Sequence, residues 1–295
     1  MSTALPRTLT DVPAPAKLNL FLHVVGRRQD GYHLLESVFV PIDWADILHF
    51  ERRDDGRLQR HDLAEPLPAE DLCLRAARAL QAASGTVLGA DISIHKRVPS
   101  GAGMGGGSSD AATVLMALNR LWGLHWPRER LLALAAPLGA DVPFFVFGRP
   151  ALVQGIGERL APVALPPMRF AVLKPAASIA TADIFGSALL RRDTPSSILL
   201  GSLESSALAG LAQGWGRNDL QPPAEARCPE VAQAARWLEA RFGNSRMTGS
   251  GSAVFSRIGA DDPPVATWPG ESLPPGWVGR VCRGLSVHPL VDWAG

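Results

Sequence analysis

Residues 100–110, SGAGMGGGSSD, carry five glycines and run directly into Ala111, Val114, Leu115, Leu118 and Leu121, an apolar stripe at helical spacing. Backbone N–H groups reach anionic oxygens only where no side chain blocks them, and the first turn of a helix adds partial positive charge. A glycine loop that opens a helix supplies both, so the stretch reads as an anion cradle, with Ser108, Ser109 and Asp110 capping the helix. Two better-known cradles fail on context. Gly101, Gly103 and Gly106 spell G-x-G-x-x-G, but a dinucleotide fold needs an acidic residue about twenty positions on, after a second strand. This chain has Leu121-Trp122-Gly123 there, at a helix end. A Walker loop needs Gly-Lys-Ser/Thr, and none of the three lysines, Lys17, Lys96 and Lys174, follows a glycine.

Upstream, residues 15–25 (PAKLNLFLHVV) alternate, with Leu18, Leu20, Leu22 and Val24 on one face and Lys17, Asn19, Phe21 and His23 on the other, which predicts a half-buried strand. The Asp-Gly pair in GRRQDGYH (26–33) predicts a turn, 34–42 a second β run, and 47–51 a further strand. Residues 54–70 are polar and proline-interrupted, 71–83 show helical spacing stopped by Gly85, and Ile92 and Ile94 mark a short strand. Downstream, a helix is expected over 127–137, then a loop at 139–143, a strand beginning Phe144-Phe145-Val146, and another at 151–153. The proline-rich stretch LAPVALPPM (160–168) reads as a linker, dividing the chain into domains 1–160 and 161–295. Beyond it we expect a strand at 170–173, a helix near 181–190, patchy helix over 195–220, a helix over 229–242 stopped by Gly243, and strands at 253–258 and 280–288. The alternation lacks regular βαβ spacing, so the fold class is α+β.

Composition narrows the function. With 46% hydrophobic and 19% charged residues and no run of eighteen apolar residues, the 295-residue chain is expected to be soluble, and the absence of an export signal over residues 1–11 points to the cytoplasm. A net charge of +1 without a basic block gives no nucleic-acid footprint, and neither nucleic acid nor membrane is an expected partner. Three scattered cysteines suit reduced packing residues, and seven histidines form no zinc spacing. Of 29 basic residues only three are lysine, which singles those three out as compact point charges.

Residues 15–20 (PAKLNL), 99–112 and 247–253 (MTGSGSA) together resemble the three motifs of the galactokinase, homoserine kinase, mevalonate kinase and phosphomevalonate kinase (GHMP) superfamily. Within it, the stretches PAKLNLFLHVVGRRQDGYHLLES, KRVPSGAGMGGGSSDAATVL, LGADVPFFV, the Gly155-Ile156-Gly157-Glu158 turn and MTGSGSAVF are most similar to the branch acting on a cytidine-diphosphate-linked methylerythritol in non-mevalonate isoprenoid synthesis. The resemblance implies a two-domain fold: an N-terminal ATP domain like ribosomal protein S5 domain 2, and a ferredoxin-like α/β plait. It implies an ATP-dependent phosphorylation of a substrate 2-hydroxyl, with Mg²⁺ arriving on ATP and touching Ser108 or Ser109. Ala102 and Met104 stand where glycine and leucine are usual, and Asp110 where asparagine is common; the first two leave the backbone donors in place.

Phosphoryl transfer needs an aligned hydroxyl, an acceptor for its proton and positive charge on the γ-phosphoryl oxygens. Asp141 in GADVP is the candidate base, and Lys17, sharing a strand face with Asn19, the candidate cation. By resemblance the ATP contacts are Pro99, Ser100, Gly101, Ala102, Gly103, Met104, Gly105, Gly106, Gly107, Ser108 and Ser109, with Lys96 beside the adenine. The cytosine is expected between Tyr32 and Phe185, read by His33, with Asn19, Asp141, Thr181, Asn218, Thr248, Gly249 and Ser250 as further substrate contacts. The rivals are a kinase of the same superfamily acting on mevalonate, homoserine or a sugar, and a non-catalytic nucleotide- or sugar-sensing module of the same fold.

Overall fold

The computed structural model describes residues 5–196, 198–199, 202–203, 209–211, 213–259 and 273–294. Its first sheet has the order β3-β4-β2-β5-β6, with β1 (Thr8–Arg27) paired antiparallel along β2 (His33–Arg53). β2 is the spine: its first half holds β5 (Ala151–Gly155), which pairs with β6 (Arg159–Pro162), and its second half holds β4 (Gly89–His95). The two strands expected at 34–42 and 47–51 are therefore one. Pro41 and its neighbours, which look like a break, are absorbed as a bulge: the register moves from Pro15↔Ala45 to Lys17↔Pro41, and Leu285 N donates to the freed Pro41 carbonyl at 2.8 Å. The polar segment 54–70 contains an unforeseen edge strand, β3 (Leu58–Asp62), whose Arg60–Asp62 pair is the kind of charged side-chain dress that edges carry.

Four helices cover one face of this sheet: α1 (Leu72–Ser84), α2 (Gly106–Leu121), α3 (Arg128–Ala135) and α4 (Val142–Phe147). α1 is capped as its sequence asks, with Asp71 accepting from Leu74 N at 3.0 Å and Gly85 closing in the left-handed region at φ 67°. α4 replaces the strand expected at Phe144; a six-residue apolar run has no period that separates helix from strand, and Pro143 in the first turn favours the helix.

The second sheet, β10-β11-β7-β12, is antiparallel and comprises Arg246–Met247, Val254–Ile258, Arg169–Lys174 and Val278–Arg283. Period-two alternation splits β7 cleanly: Ala171 and Leu173 pack with Val231, Ala234 and Leu238 of the helix Pro229–Phe242, while Phe170 and Val172 meet Leu18, Val40 and Ile42 of the first sheet. β1 is thus buried on both faces, not one. A bulge between Asn19 and Leu22 also changes its phase, so Phe21 joins the cluster of Leu18 and Leu20 and Leu22 turns to another. Among the described residues the second half also holds α5 (Thr181–Phe185), shorter than the helix expected there, the antiparallel pair β8 (Ile198–Leu199) and β9 (Ser202–Leu203), α6 (Gln221–Arg227), and α7, the helix Pro229–Phe242. Of the patchy helix read over 195–220, residues 198–199 and 202–203 are paired strands instead, while 197, 200–201, 204–208 and 212 lie outside the described residues. The last strand ends at Arg283, before the expected 288, because the chain leaves the sheet to pair with Pro41 and Ile42 and to bury Leu290 and Ala294 in the first core. That return stitches the two sheets together.

Candidate active site

Two cavities meet at the glycine loop. The smaller, about 380 Å³, lies between residues 67–75 and the stretch 96–110; the larger, about 800 Å³, shares Gly103 and Gly105 with it. Gly101, Gly103 and Gly105 all take positive φ (66°, 76° and 71°), a path that side chains resist. Gly105 is itself the N-cap of α2, without a side-chain bond. The serines therefore do not cap, contrary to the sequence reading: they sit inside the first turn, Ser109 buried with Oγ donating to Pro15 O at 2.7 Å, and Ser108 lining the larger cavity. Asp110 does not cap either. It is buried, and its Oδ2 lies 2.6 Å from Lys96 Nζ, which also pairs with Asp46. Ala102 and Met104 turn their side chains into the core and keep their backbone in use, Met104 O accepting from Lys17 N at 2.9 Å and Ala102 O from Ala253 N at 3.1 Å.

The second glycine turn, 248–252, lies against the first. A Cβ on Gly103 would overlap Thr248 O and Gly251 N, and one on Gly251 would overlap the Gly103 amide. Only glycine permits this approach of two backbones. Asn218 and Thr248 serve the turn from behind: the Asn218 amide donates to Met247 O and Gly249 O at 2.9 and 2.8 Å, and Thr248 Oγ1 bonds Asn19. Both are buried and neither lines either of these two cavities, whereas Gly249 and Ser250 line the larger.

Lys17 projects from β1 into the larger cavity, its Nζ 2.7 Å from Asn19 Oδ1, 3.6 Å from Asp141 Oδ2 and 4.6 Å from the centre of the Phe39 ring. Burial pushes its pKa below the ordinary lysine value, and Asp141 opposes that shift. Asp141 stands at the N-cap position of α4, yet its carboxylate makes no capping bond and keeps 31% of its side chain exposed. A carboxylate free of structural duty and held beside a buried ammonium is placed to accept a proton from a bound hydroxyl.

The opposite wall of the larger cavity is aromatic. His33 opens β2 and its ring lies 5.0 Å from that of Phe185, tilted 32°, while Tyr32 is 60% exposed at the rim. The turn before them is closed by Arg28 N donating to Tyr32 O at 2.7 Å and by Arg27 Nε donating to Gly31 O at 3.1 Å. Thr181 and Ser250, from the two halves of the chain's C-terminal part, share a hydrogen bond of 2.8 Å across the mouth.

Residues 71–149 match the GHMP kinases N terminal domain and residues 200–264 the GHMP kinases C terminal. The 4-diphosphocytidyl-2-C-methyl-D-erythritol kinase of Methylibium petroleiphilum is 64% identical over 98% of this chain and 99% of its own length, and that of Polaromonas naphthalenivorans 55% over 97% and 96%. The chain belongs to this kinase family. A crystal structure of 4-(cytidine 5'-diphospho)-2C-methyl-D-erythritol kinase superposes with a TM-score of 0.71 at 41% identity, covering 83% of this chain and 88% of that one. Homoserine kinase from Cytophaga hutchinsonii shares the fold alone, at TM-score 0.63 and 18% identity over 87% of each chain.

For a kinase of this family the sequence motifs locate the loops but leave out the residues that hold them. Asp46, which takes Lys96 and the N–H groups of Arg97 and Val98 at 2.5 and 2.8 Å, lies in the part of β2 that looked like a break. Ser37, accepting from Asn19 Nδ2 at 3.0 Å, and Arg192, bonded to His33, carry no motif. Their only signal is polarity beside a buried strand or a short helix, which by itself names no role.

Proposed function

We propose that the chain transfers the γ-phosphoryl group of ATP to the 2-hydroxyl of 4-diphosphocytidyl-2-C-methyl-D-erythritol, a step of non-mevalonate isoprenoid synthesis in the cytoplasm. The observation that carries this reading is the junction at Gly103 and Gly105, where the smaller, backbone-lined cavity opens toward Lys17 and Asp141 in the larger one. The smaller cavity takes ATP, with Lys96 and residues 99–107 against the nucleotide and the α2 N-terminus on its phosphates. Its terminal phosphate then points across the junction. The larger cavity has the volume of a nucleotide-sized ligand, beyond what mevalonate or homoserine needs. Tyr32, His33 and Phe185 take the cytosine there, and Thr181, Gly249 and Ser250 flank the diphosphate.

In this arrangement Asp141 accepts the hydroxyl proton as the oxygen attacks, and the Lys17 ammonium, fixed by Asn19, offsets charge on the transferring group. Residues 1–160 supply the nucleotide site and 161–295 the second wall of the substrate site. Among the described residues no cluster of three His, Cys, Asp or Glu could hold a metal. Mg²⁺ suits what is present: an oxygen donor from Ser108, completed by phosphates and water. When bound it neutralises phosphate charge. The retained pairing of Lys17 with Asp141 supports an enzyme over a non-catalytic sensor of the same fold.

The test is to incubate the protein with Mg-ATP and, separately, the cytidylated methylerythritol, mevalonate, homoserine and galactose while following ADP release. Turnover with the first alone is the expected result; turnover confined to one of the others overturns the substrate, and none at all overturns the enzyme.

A further inference from the structure

The guanidinium of Arg192 makes four hydrogen bonds. Nε donates to His33 Nε2 at 3.1 Å, Nη1 to Leu190 O at 3.1 Å, and Nη2 to Phe185 O at 2.9 Å and Ser187 O at 3.0 Å. One planar group thereby joins two walls that arrive from different elements: the ring of His33 at the start of β2, and the backbone leaving α5 just after Phe185. The two rings so fixed, 5.0 Å apart and tilted 32°, both line the larger cavity. Arginine is suited to this because its fork is rigid and its N–H groups can only donate.

That last property has a chemical consequence for His33. A ring nitrogen that accepts from Arg192 Nε–H carries no proton, so the neutral imidazole has its proton on Nδ1. Nδ1 has no hydrogen-bond partner among the described residues. We propose that Arg192 is a specificity-determining positioning residue: it locks His33 in the Nδ1–H tautomer, so the ring offers a bound base a donor and no acceptor. His33 stays neutral near pH 7 because burial first, then the neighbouring charges of Arg192 and Arg27, pull its pKa below the usual histidine range.

This inference rests on the reading of the larger cavity as a cytidine site, and it says how the site tells cytosine from uracil. Cytosine N3 is an acceptor and meets the Nδ1–H donor. Uracil carries a proton on N3 and would set donor against donor, leaving both polar groups facing each other unpaired. A histidine free to exchange tautomers would accept from uracil N3–H and lose that discrimination.

Two measurements decide the proposal. The first is the ¹⁵N spectrum of His33 in the substrate-free protein near neutral pH, assigned by comparison with His33→Gln. Wild type should show protonated Nδ1 and unprotonated Nε2, and Arg192→Met should revert to the Nε2–H form that free imidazoles prefer. Wild type in the Nε2–H form overturns the proposal whatever the substrate is. The second is the ratio of kcat/KM for cytidine-linked over uridine-linked methylerythritol. Arg192→Met should lower that ratio by about tenfold or more, with KM for ATP within about twofold, and Arg192→Lys, which keeps a donor, should restore part of it. A ratio unchanged in Arg192→Met overturns the proposal. Wild-type protein inactive on the cytidine-linked compound defeats the functional reading instead, and the spectrum still decides the tautomer.

Discussion

The two cavities are built from different materials. The smaller takes most of its wall from the uninterrupted stretch 98–107, presented as backbone, while the larger collects side chains from scattered segments: Lys17 on β1, His33 and Phe39 on β2, Asp141 before α4, Phe185 on α5, Ser250 on the second glycine turn. A backbone site is written in consecutive residues, because positive φ at Gly101, Gly103 and Gly105 is a local demand that only a local sequence can meet. A side-chain site is written in the tertiary fold and depends on every strand register that brings its members together. The smaller cavity is thus sensitive above all to added Cβ atoms, and the larger to the identity of its side chains.

The sharpest way to break that contrast is Asp141→Asn. The substitution removes a proton acceptor from the larger cavity and adds no atom to the smaller, so turnover should fall roughly a hundredfold or more while ATP affinity stays near normal. Equal losses in both would mean that the cavities do not divide the labour, and near-normal turnover would remove Asp141 from the chemistry.

Gly251→Ala is the converse. Its new Cβ would overlap the Gly103 amide and the Ala102 carbonyl carbon, so the chain must separate two backbones that now touch. ATP binding should weaken about tenfold and the fold lose about 2–3 kcal/mol, although residue 251 lies far from the phosphate loop in sequence. Measurement of both by nucleotide titration and denaturant unfolding sharpens the comparison. An intact ATP site in this variant would show that the second turn does not brace the first.

This asymmetry also explains what could be read before the structure was known. The glycine loop, the apolar helix behind it, α1 with its Gly85 stop, and α7 with Gly243 all follow from short-range rules, although Gly105 caps α2 in place of the serines and Asp71 caps α1 where the sequence reading had it inside the helix. The apolar run at Phe144 defeated the same rules, because helix and strand bury six such residues equally well and only packing chooses. Lys17 and Asp141 were legible as candidates through motifs, but their 3.6 Å approach is a property of β1 and α4 meeting on one side of the sheet. Arg192 was illegible, since nothing in LRRDTP says which of two adjacent arginines turns inward.

Asp110 tests the contrast at its finest grain, because it is a buried side chain at the edge of the smaller cavity, beneath the glycine loop. One ammonium, Lys96, lies between two buried carboxylates, and Asp46 is the better supplied of the pair, with two backbone N–H groups on its other oxygen. Asp110 Oδ1 has no hydrogen-bond partner among the described residues. Burial, opposed by Lys96 and reinforced by Asp46, pushes the Asp110 carboxyl up to about 8. Its folded value lies above its unfolded one of about 4, so the neutral carboxyl's contribution to stability is complete below pH 4 and is lost as pH rises through 8. Asparagine copies the neutral group and cannot ionise. Asp110→Asn should therefore gain stability relative to wild type as pH is raised from 5 to 9, by about 1.4 kcal/mol for each pH unit between the unfolded and folded values, read as a widening gap between the two denaturant midpoints. A gap that stays constant over that range would mean that Asp110 is ionised throughout, with Lys96 neutralising both carboxylates, and that the charge beneath the phosphate loop does not respond to pH.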